Sequence, residues 1–169
     1  MRHLVLYLAL VFSPFVTGTS IEVGFSPSGT ALALVLRIID DAQETLDVEA
    51  YSFTSKDVAT ALTRATARGV KARVVADAKS NSSKYSALTF LANHKVAVRL
   101  NDRYAIMHNK VVIADRRHVK TGSFNYSAAA NKSNAENVLV IRNQPALASA
   151  YLKEFEHLWS EGKTLTPSY

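Results

Sequence analysis

The order of hydrophobic periodicities between residues 21 and 77 limits the fold more than any other feature of this chain. "IEVGF" reads as a short strand and "SPSG" as a turn. From Thr30 to Ala42 the apolar residues Leu32, Val35, Leu36 and Ile39 recur at helical spacing, with Asp40 and Asp41 near the end. "LDVEAYSF" alternates and is rich in β-formers. Thr54 and Asp57 form a candidate capping box for the helix "SKDVATALTRATARG". Its apolar stripe is Val58, Ala61, Leu62 and Ala65, and Gly69 stands where a C-terminal cap belongs. "VKARVVAD" is a further buried strand. Strand, helix, strand, helix, strand is the pattern of a layered α/β domain. The expected architecture is α/β/α, around a central mixed, largely parallel β-sheet.

The second half continues with a polar loop, a helix from about Tyr85 to Asn93 and the strand "VAVRL". "HNKVVIADRRHVKTG" reads as a hairpin turning at Asp115, Arg116 and Arg117, so this part of the sheet is antiparallel. "NVLVIRN" is the last expected strand, and Pro145 opens a closing helix as a first-turn proline should. No internal repeat is present. A chain of 169 residues fits one domain.

The first twenty residues, "MRHLVLYLALVFSPFVTGTS", run basic, apolar, small, and the apolar run is too short to span a bilayer. They read as a secretory signal over 1–19 followed by a single domain over 20–169, with an uncleaved anchor as the alternative. The expected location is periplasmic or secreted. Cysteine is absent, which excludes disulfides, thiolate metal sites and thiol chemistry.

Chemistry concentrates in one stretch. On a strand, His108 and Lys110 leave the same face while Asn109 points away. The return strand delivers Gly122, Ser123 and Asn125 near the same end of the hairpin. An imidazole, an ammonium, a hydroxyl and a carboxamide on one edge can bind a tetrahedral anion. A lone strand histidine is more often structural, and His94, His118 and His157, which have no lysine two residues on, are read that way. Asp77 and Glu49 are read as isolated structural carboxylates.

The run "HNKVVIADRRHVKTGSFN" resembles the signature HxK(x)4D(x)6GSxN of the phospholipase D superfamily in the form used by its small bacterial nucleases. "EAYSFTSKDVATAL", "RGVKARVVAD" and "NKSNAENVLVI" are similar to the corresponding segments of the compact EDTA-resistant endonucleases of that family. The resemblance implies a phospholipase D/nuclease-like fold and phosphodiester cleavage in two steps through a phosphohistidine. One histidine is the nucleophile and a second protonates the leaving oxygen. It implies that Lys110 and Asn125 bind the nonbridging oxygens, that Ser123 helps hold the phosphate, and that Glu136 orients the imidazole. Asp115 is left between a structural role in the turn and a direct part in catalysis.

The motif occurs once, and in-line displacement needs a nucleophile and an acid on opposite sides of phosphorus. One His108 cannot stand on both, so the active site is expected at the interface of a homodimer. Neither HExxH nor a paired-aspartate cluster is present, and Lys110 supplies the charge a metal would bring, so neither metal nor cofactor is expected.

A formal net charge of +6 and a pI near 9.6 favour a polyanionic partner. Basic residues on loops add to this: Lys79, Lys84, Arg103, Arg116, Arg117 and Lys132, with Arg116 and Arg117 as candidate substrate contacts. Tyr104 and Phe124 are candidates for stacking on bases or for the core. The expected activity is a nonspecific endonuclease acting on DNA, with RNA as a further substrate. A hydrolase of phospholipid head groups is the alternative, and a nucleic-acid-binding module with a vestigial catalytic set is the third reading.

Overall fold

The hydrophobic runs between residues 45 and 101 form three neighbouring parallel strands, and the rest of the chain extends the sheet on both sides. The computed structural model describes residues 18–82 and 86–166. The elements are β1 (Ser20–Ser26), α1 (Thr30–Asp41), β2 (Thr45–Ala50), α2 (Lys56–Ala67), β3 (Lys71–Asp77), α3 (Leu88–Asn93), β4 (Ala97–Asn101), β5 (Lys110–Ala114), β6 (His118–Gly122), α4 (Ala128–Lys132), β7 (Glu136–Arg142), α5 (Pro145–Glu161) and β8 (Lys163–Thr164). The expected signal over 1–19 falls outside the described residues except at its last two positions, as do Lys84 and the Tyr85 start of the expected helix.

The sheet has eight strands in the order β1-β7-β6-β5-β2-β3-β4-β8. The layered α/β architecture and the mixed sheet are as expected. The sheet is not largely parallel, however: β3 runs parallel to β2 and β4, and the other five neighbouring pairs are antiparallel. Parallel neighbours need a crossover connection, here through α2 and α3, but after β4 the chain returns through antiparallel strands, which need none.

Helices α1, α2 and α3 cover one face and α5 the other. The α1 stripe is Ala31, Leu34, Val35, Ile38 and Ile39, rotated from the expected one, with Leu32 and Leu36 at its margin. In α2 the expected stripe is buried in full, but the cap is Ser55, whose Oγ accepts from Val58 N at 3.3 Å, and not Thr54 with Asp57. Gly69 follows the helix at φ +97°, the left-handed conformation that ends it. Helix α4 and strand β8, of five and two residues, are too short to leave a periodic signal.

Coverage of the α5 face is incomplete. Val75, Val111, Ile113 and Val119 pack under Ala148, Phe155 and Leu158 of α5. On the same face β1 and β7 lie bare: Ile21, Val23 and Phe25 are 66%, 59% and 54% exposed, and their partners Ile141 and Leu139 are only partly covered.

Candidate active site

Parallel strands β2, β3 and β4 end at one edge of the sheet, and the antiparallel register brings the start of β5, the end of β6 and the start of β7 to the same edge. Ala50 pairs with Lys110, and Gly122 pairs with Val138. This is where open α/β sheets bind ligands.

His108 lies two residues before β5 on an exposed segment and not on the strand as expected. Its ring makes no hydrogen bond among the described residues. Tyr51, immediately after β2, holds it edge-on with ring centroids 4.5 Å apart. The loop before it is pinned from below by Asp77, whose carboxylate accepts from Met107 N at 2.8 Å and Ser80 N at 2.7 Å.

Lys110 is only 5% exposed. Its Nζ donates to the His108 carbonyl and sits 5.0 Å from the centroid of the Tyr51 ring. Burial lowers the Lys110 ammonium to about 8, against the opposing pull of the Glu136 carboxylate. No carboxylate pairs with it among the described residues. A buried cation without a counter-ion is a ready partner for an anion.

The turn after β6 is shaped by Gly122. At φ +131° a Cβ there would meet the Asn137 carbonyl oxygen at 2.3 Å, so the close approach to β7 requires glycine. Ser123 N donates to Asn137 O at 3.1 Å, and Ser123 Oγ accepts from Asn137 N at 3.1 Å. Ser123 is thus tied to β7, with its hydroxyl hydrogen still free to donate. Asn125 has its Oδ1 buried with no partner, and its Nδ2 makes no hydrogen bond among the described residues, so the carboxamide NH2 is open to an incoming oxyanion.

Glu136 does not reach His108. It opens β7, two strands from β5 and so about 10 Å across the sheet, and its Oε1 accepts from Asn134 Nδ2 at 2.9 Å. Within one chain its charge bears on Lys110 and Lys120 instead.

Asp115 is not in the site. It sits at the opposite end of β5, five residues from Lys110 or about 17 Å along a strand, and accepts from the backbone N–H groups of Gln43, Glu44 and Thr45 at 3.0, 2.8 and 3.0 Å. Those amides hold its carboxyl below the usual range in spite of burial. Arg116 and Arg117, the candidate substrate contacts, share that turn, so the structure places them at the far end of the hairpin and not beside His108. Asp115 and Arg116 are its central residues, at φ +51° and +54°.

The other described histidines are occupied elsewhere: His118 Nδ1 accepts from Asn143 N at 3.1 Å, His94 bonds the Phe90 carbonyl, and His157 pairs with Tyr104 and Glu161. Phe124 is fully buried and belongs to the core, whereas Tyr104 is 40% exposed. Among the described residues no group of three His, Asp or Glu side chains could hold a metal ion.

Three residues escaped the sequence reading of the site. Tyr51 was legible as an aromatic at the C-terminal end of a parallel strand. Glu49, taken as structural, is fully buried with both oxygens unpartnered, below a cleft of about 400 Å³ lined also by His108, Asn109, Thr121, Tyr151 and Glu154. Burial raises its carboxyl to about 7, opposed by the Asn109 carboxamide, which stands outside hydrogen-bond geometry. Lys120 is fully buried; its inward place was readable once the hairpin register set it opposite Val112.

Known proteins resemble this chain in sequence and fold. The family model described as cardiolipin synthase, PLD-like domain, matches residues 35–159. A Rickettsia conorii protein named phospholipase D is 40% identical over 131 residues, 78% of this chain and 65% of its own length. A Xenopus tropicalis protein named mitochondrial cardiolipin hydrolase is 32% identical over 132 residues, 78% of this chain and 62% of the other. The chain thus spans about two thirds of the length of the curated relatives it matches. Among solved structures, Nuc from Salmonella typhimurium, a phospholipase D family member, superposes with a TM-score of 0.87 at 39% identity, covering 88% of this chain and 99% of that one. NucT from Helicobacter pylori gives a TM-score of 0.78 at 26% identity, covering 88% and 100%.

Proposed function

The chain belongs to the phospholipase D superfamily, and on that premise we propose that it is a metal-independent phosphodiesterase that cleaves nucleic acid at a site shared by two copies of the chain. The observation that carries this reading is the buried Lys110 ammonium without a counter-ion, flanked by the unbonded His108 ring and the free carboxamide of Asn125. In the first step a neutral His108 Nε2 attacks phosphorus in line, forming a P–N bond as the P–O bond to the leaving group breaks. The His108 of the second copy, protonated, gives its proton to the leaving oxygen. Water then attacks phosphorus, forming a P–O bond as the P–N bond to His108 breaks, and loses a proton to the imidazole of the second copy, which restores both side chains. Lys110 and Asn125 hold the nonbridging oxygens as negative charge accumulates on them.

The dimer has support beyond the histidine count. The bare apolar stripe of Ile21, Val23 and Phe25, continued by Leu139 and Ile141, leads across the sheet to Thr121 beside the site. A surface of this kind beside an incomplete site fits a second copy of the chain.

DNA is the favoured substrate, with RNA next, because the chain carries a net charge of +6 and a duplex is a polyanion. Export, as the first nineteen residues suggest, would bring the enzyme to extracellular or periplasmic nucleic acid. A second reading, hydrolysis of phospholipid head groups, draws on the names of the relatives and on Ile106, which is 50% exposed two residues before His108. One assay separates them: purified protein with plasmid DNA, RNA and phosphatidylcholine, each with and without EDTA. The expected result is nicking of DNA that survives chelation. Cleavage confined to the lipid would install the second reading, and DNA cleavage that needs added Mg²⁺ would overturn the metal-free mechanism.

A further inference from the structure

Among the described residues Lys120 is the largest charged side chain sealed inside the protein, and the steps above make no use of it. It lies on the inward face of β6, opposite Val112 of β5 and Val140 of β7, with 0% exposure. An amine there must find acceptors, since an unpaired polar group in the core is costly. Its Nζ donates to the Lys110 carbonyl at 2.9 Å and to the Phe124 carbonyl at 3.4 Å. These carbonyls belong to the two arms of the site. Lys110 opens β5, and Phe124 stands between Ser123 and Asn125.

The surroundings leave its charge uncompensated. Tyr126 presents its ring 4.9 Å from Nζ, and Phe124 lies at 6.0 Å. The charged groups that act on it are Lys110 from β5, which repels, and Glu136 from β7, which attracts from beyond hydrogen-bond range. Helix α1, packed over this face, offers only the apolar residues Ala31, Leu34, Val35, Ile38 and Ile39 to the core. No ion pair among the described residues includes Lys120.

We propose that Lys120 is a positioning residue of the phosphate site: it ties β5 to the Ser123–Asn125 turn through the Lys110 and Phe124 carbonyls, and it takes up a proton when an oxyanion enters beside Lys110. The proposal rests on the phosphodiesterase reading of that site. A neutral amine has two N–H groups, which match the two carbonyls; an ammonium has a third, with no acceptor among the described residues. In the empty site, burial and the Lys110 charge hold Lys120 down to about 7, so much of it is neutral at physiological pH. An anion beside Lys110 cancels the repulsion. A proton from solvent then adds to Lys120 Nζ, the anion keeps its own charge, and the site gains a second positive charge behind phosphorus.

Sulfate is a suitable probe because it does not titrate near neutral pH. Calorimetry in two buffers of different ionisation heat counts the protons taken up as it binds. Wild type is expected to bind sulfate with net proton uptake at pH 7.5. Lys120→Met should bind it about three- to tenfold more weakly, with smaller uptake and with less strengthening of affinity as pH falls towards 6.5. Equal affinity and equal proton uptake in the two proteins would overturn the proposal and leave the phosphodiesterase reading standing. Sulfate binding that is absent from wild type, or unchanged in Lys110→Met, would overturn that reading and the proposal with it. Should Lys120→Met fail to fold, the ¹³Cε shift of Lys120 in wild type decides the matter. A titration midpoint that rises by about one pH unit on saturation with sulfate, a tenfold gain in proton affinity, supports the proposal, and an unmoved midpoint overturns it.

Discussion

The two ends of the β5–β6 hairpin are built to opposite rules. At the turn, Asp115 meets three backbone amides of the segment before β2, and its charge is accounted for within one chain. At the other end, Lys110 has no counter-ion, Asn125 has a buried oxygen without a partner, and the His108 ring has no hydrogen bond. Both ends carry residues of one sequence motif. The difference shows that a motif mixes groups kept for architecture with groups kept for chemistry, and hydrogen-bond satisfaction tells them apart. A satisfied end is finished; an unsatisfied end is open to a ligand, which under the proposed function is substrate together with a second chain.

Substitutions at the site end should separate activity from stability most widely. His108→Ala is expected to lower kcat by about 10⁴-fold or more, and Lys110→Met by about 10²- to 10³-fold through loss of charge opposite the oxyanion. Thermal melting of His108→Ala should match wild type, because the side chain is exposed. A His108→Ala protein that keeps a tenth of the activity would break the assignment.

The turn end should behave in reverse. Asp115→Ala strands three amides and is expected to cost about 3 kcal/mol of stability, measured by urea denaturation, with kcat under native conditions changed less than about threefold. A large fall in kcat with unchanged stability would return Asp115 to the catalytic set.

The pH dependence of stability should also divide. Lys110 and Lys120 have folded values lowered from 10.5 to about 8 and about 7. Between those values and 10.5 the unfolded chain holds more protons than the folded one, so stability rises with pH across that window, by up to about 1.4 kcal/mol per pH unit for each lysine. Asp115 has the opposite sense. Its lowered value gives a contribution that is full above the unfolded carboxylate range and is lost as pH falls through the folded value. Lys120→Met should flatten the alkaline slope and leave the acid limb intact; Asp115→Ala should do the converse. Urea midpoints from pH 3 to 10 measure both.

The smallest effect is expected at Arg116. Held at φ +54°, it carries a strain that glycine lacks, so Arg116→Gly should raise stability by up to about 1 kcal/mol. Its distance from His108 predicts a change in kcat/KM below about twofold. A tenfold loss on DNA would place substrate along the far turn and blur the contrast between the two ends.

How far all this could be read in advance depended on the range of the interaction involved. Helical and strand periods are local, so the bounds of α1, α2 and β3 were legible to within two residues. His108, Lys110, Ser123 and Asn125 were legible as a set because the hairpin that gathers them is local too. The antiparallel bias of the sheet was not, since β1 pairs with β7 more than a hundred residues on. Asp115 was ambiguous because its partners, Gln43, Glu44 and Thr45, are about seventy residues earlier in the chain. Lys120 looked like any strand lysine until the register turned it inward.

The central claim is that the site end is half of an active site. Equal amounts of wild type and His108→Ala, allowed to exchange subunits, should assort into dimers of which about a quarter carry two intact histidines. The account predicts about a quarter of the DNA-cleaving activity of the same total amount of wild type. Activity near one half, with each chain working alone, would contradict it.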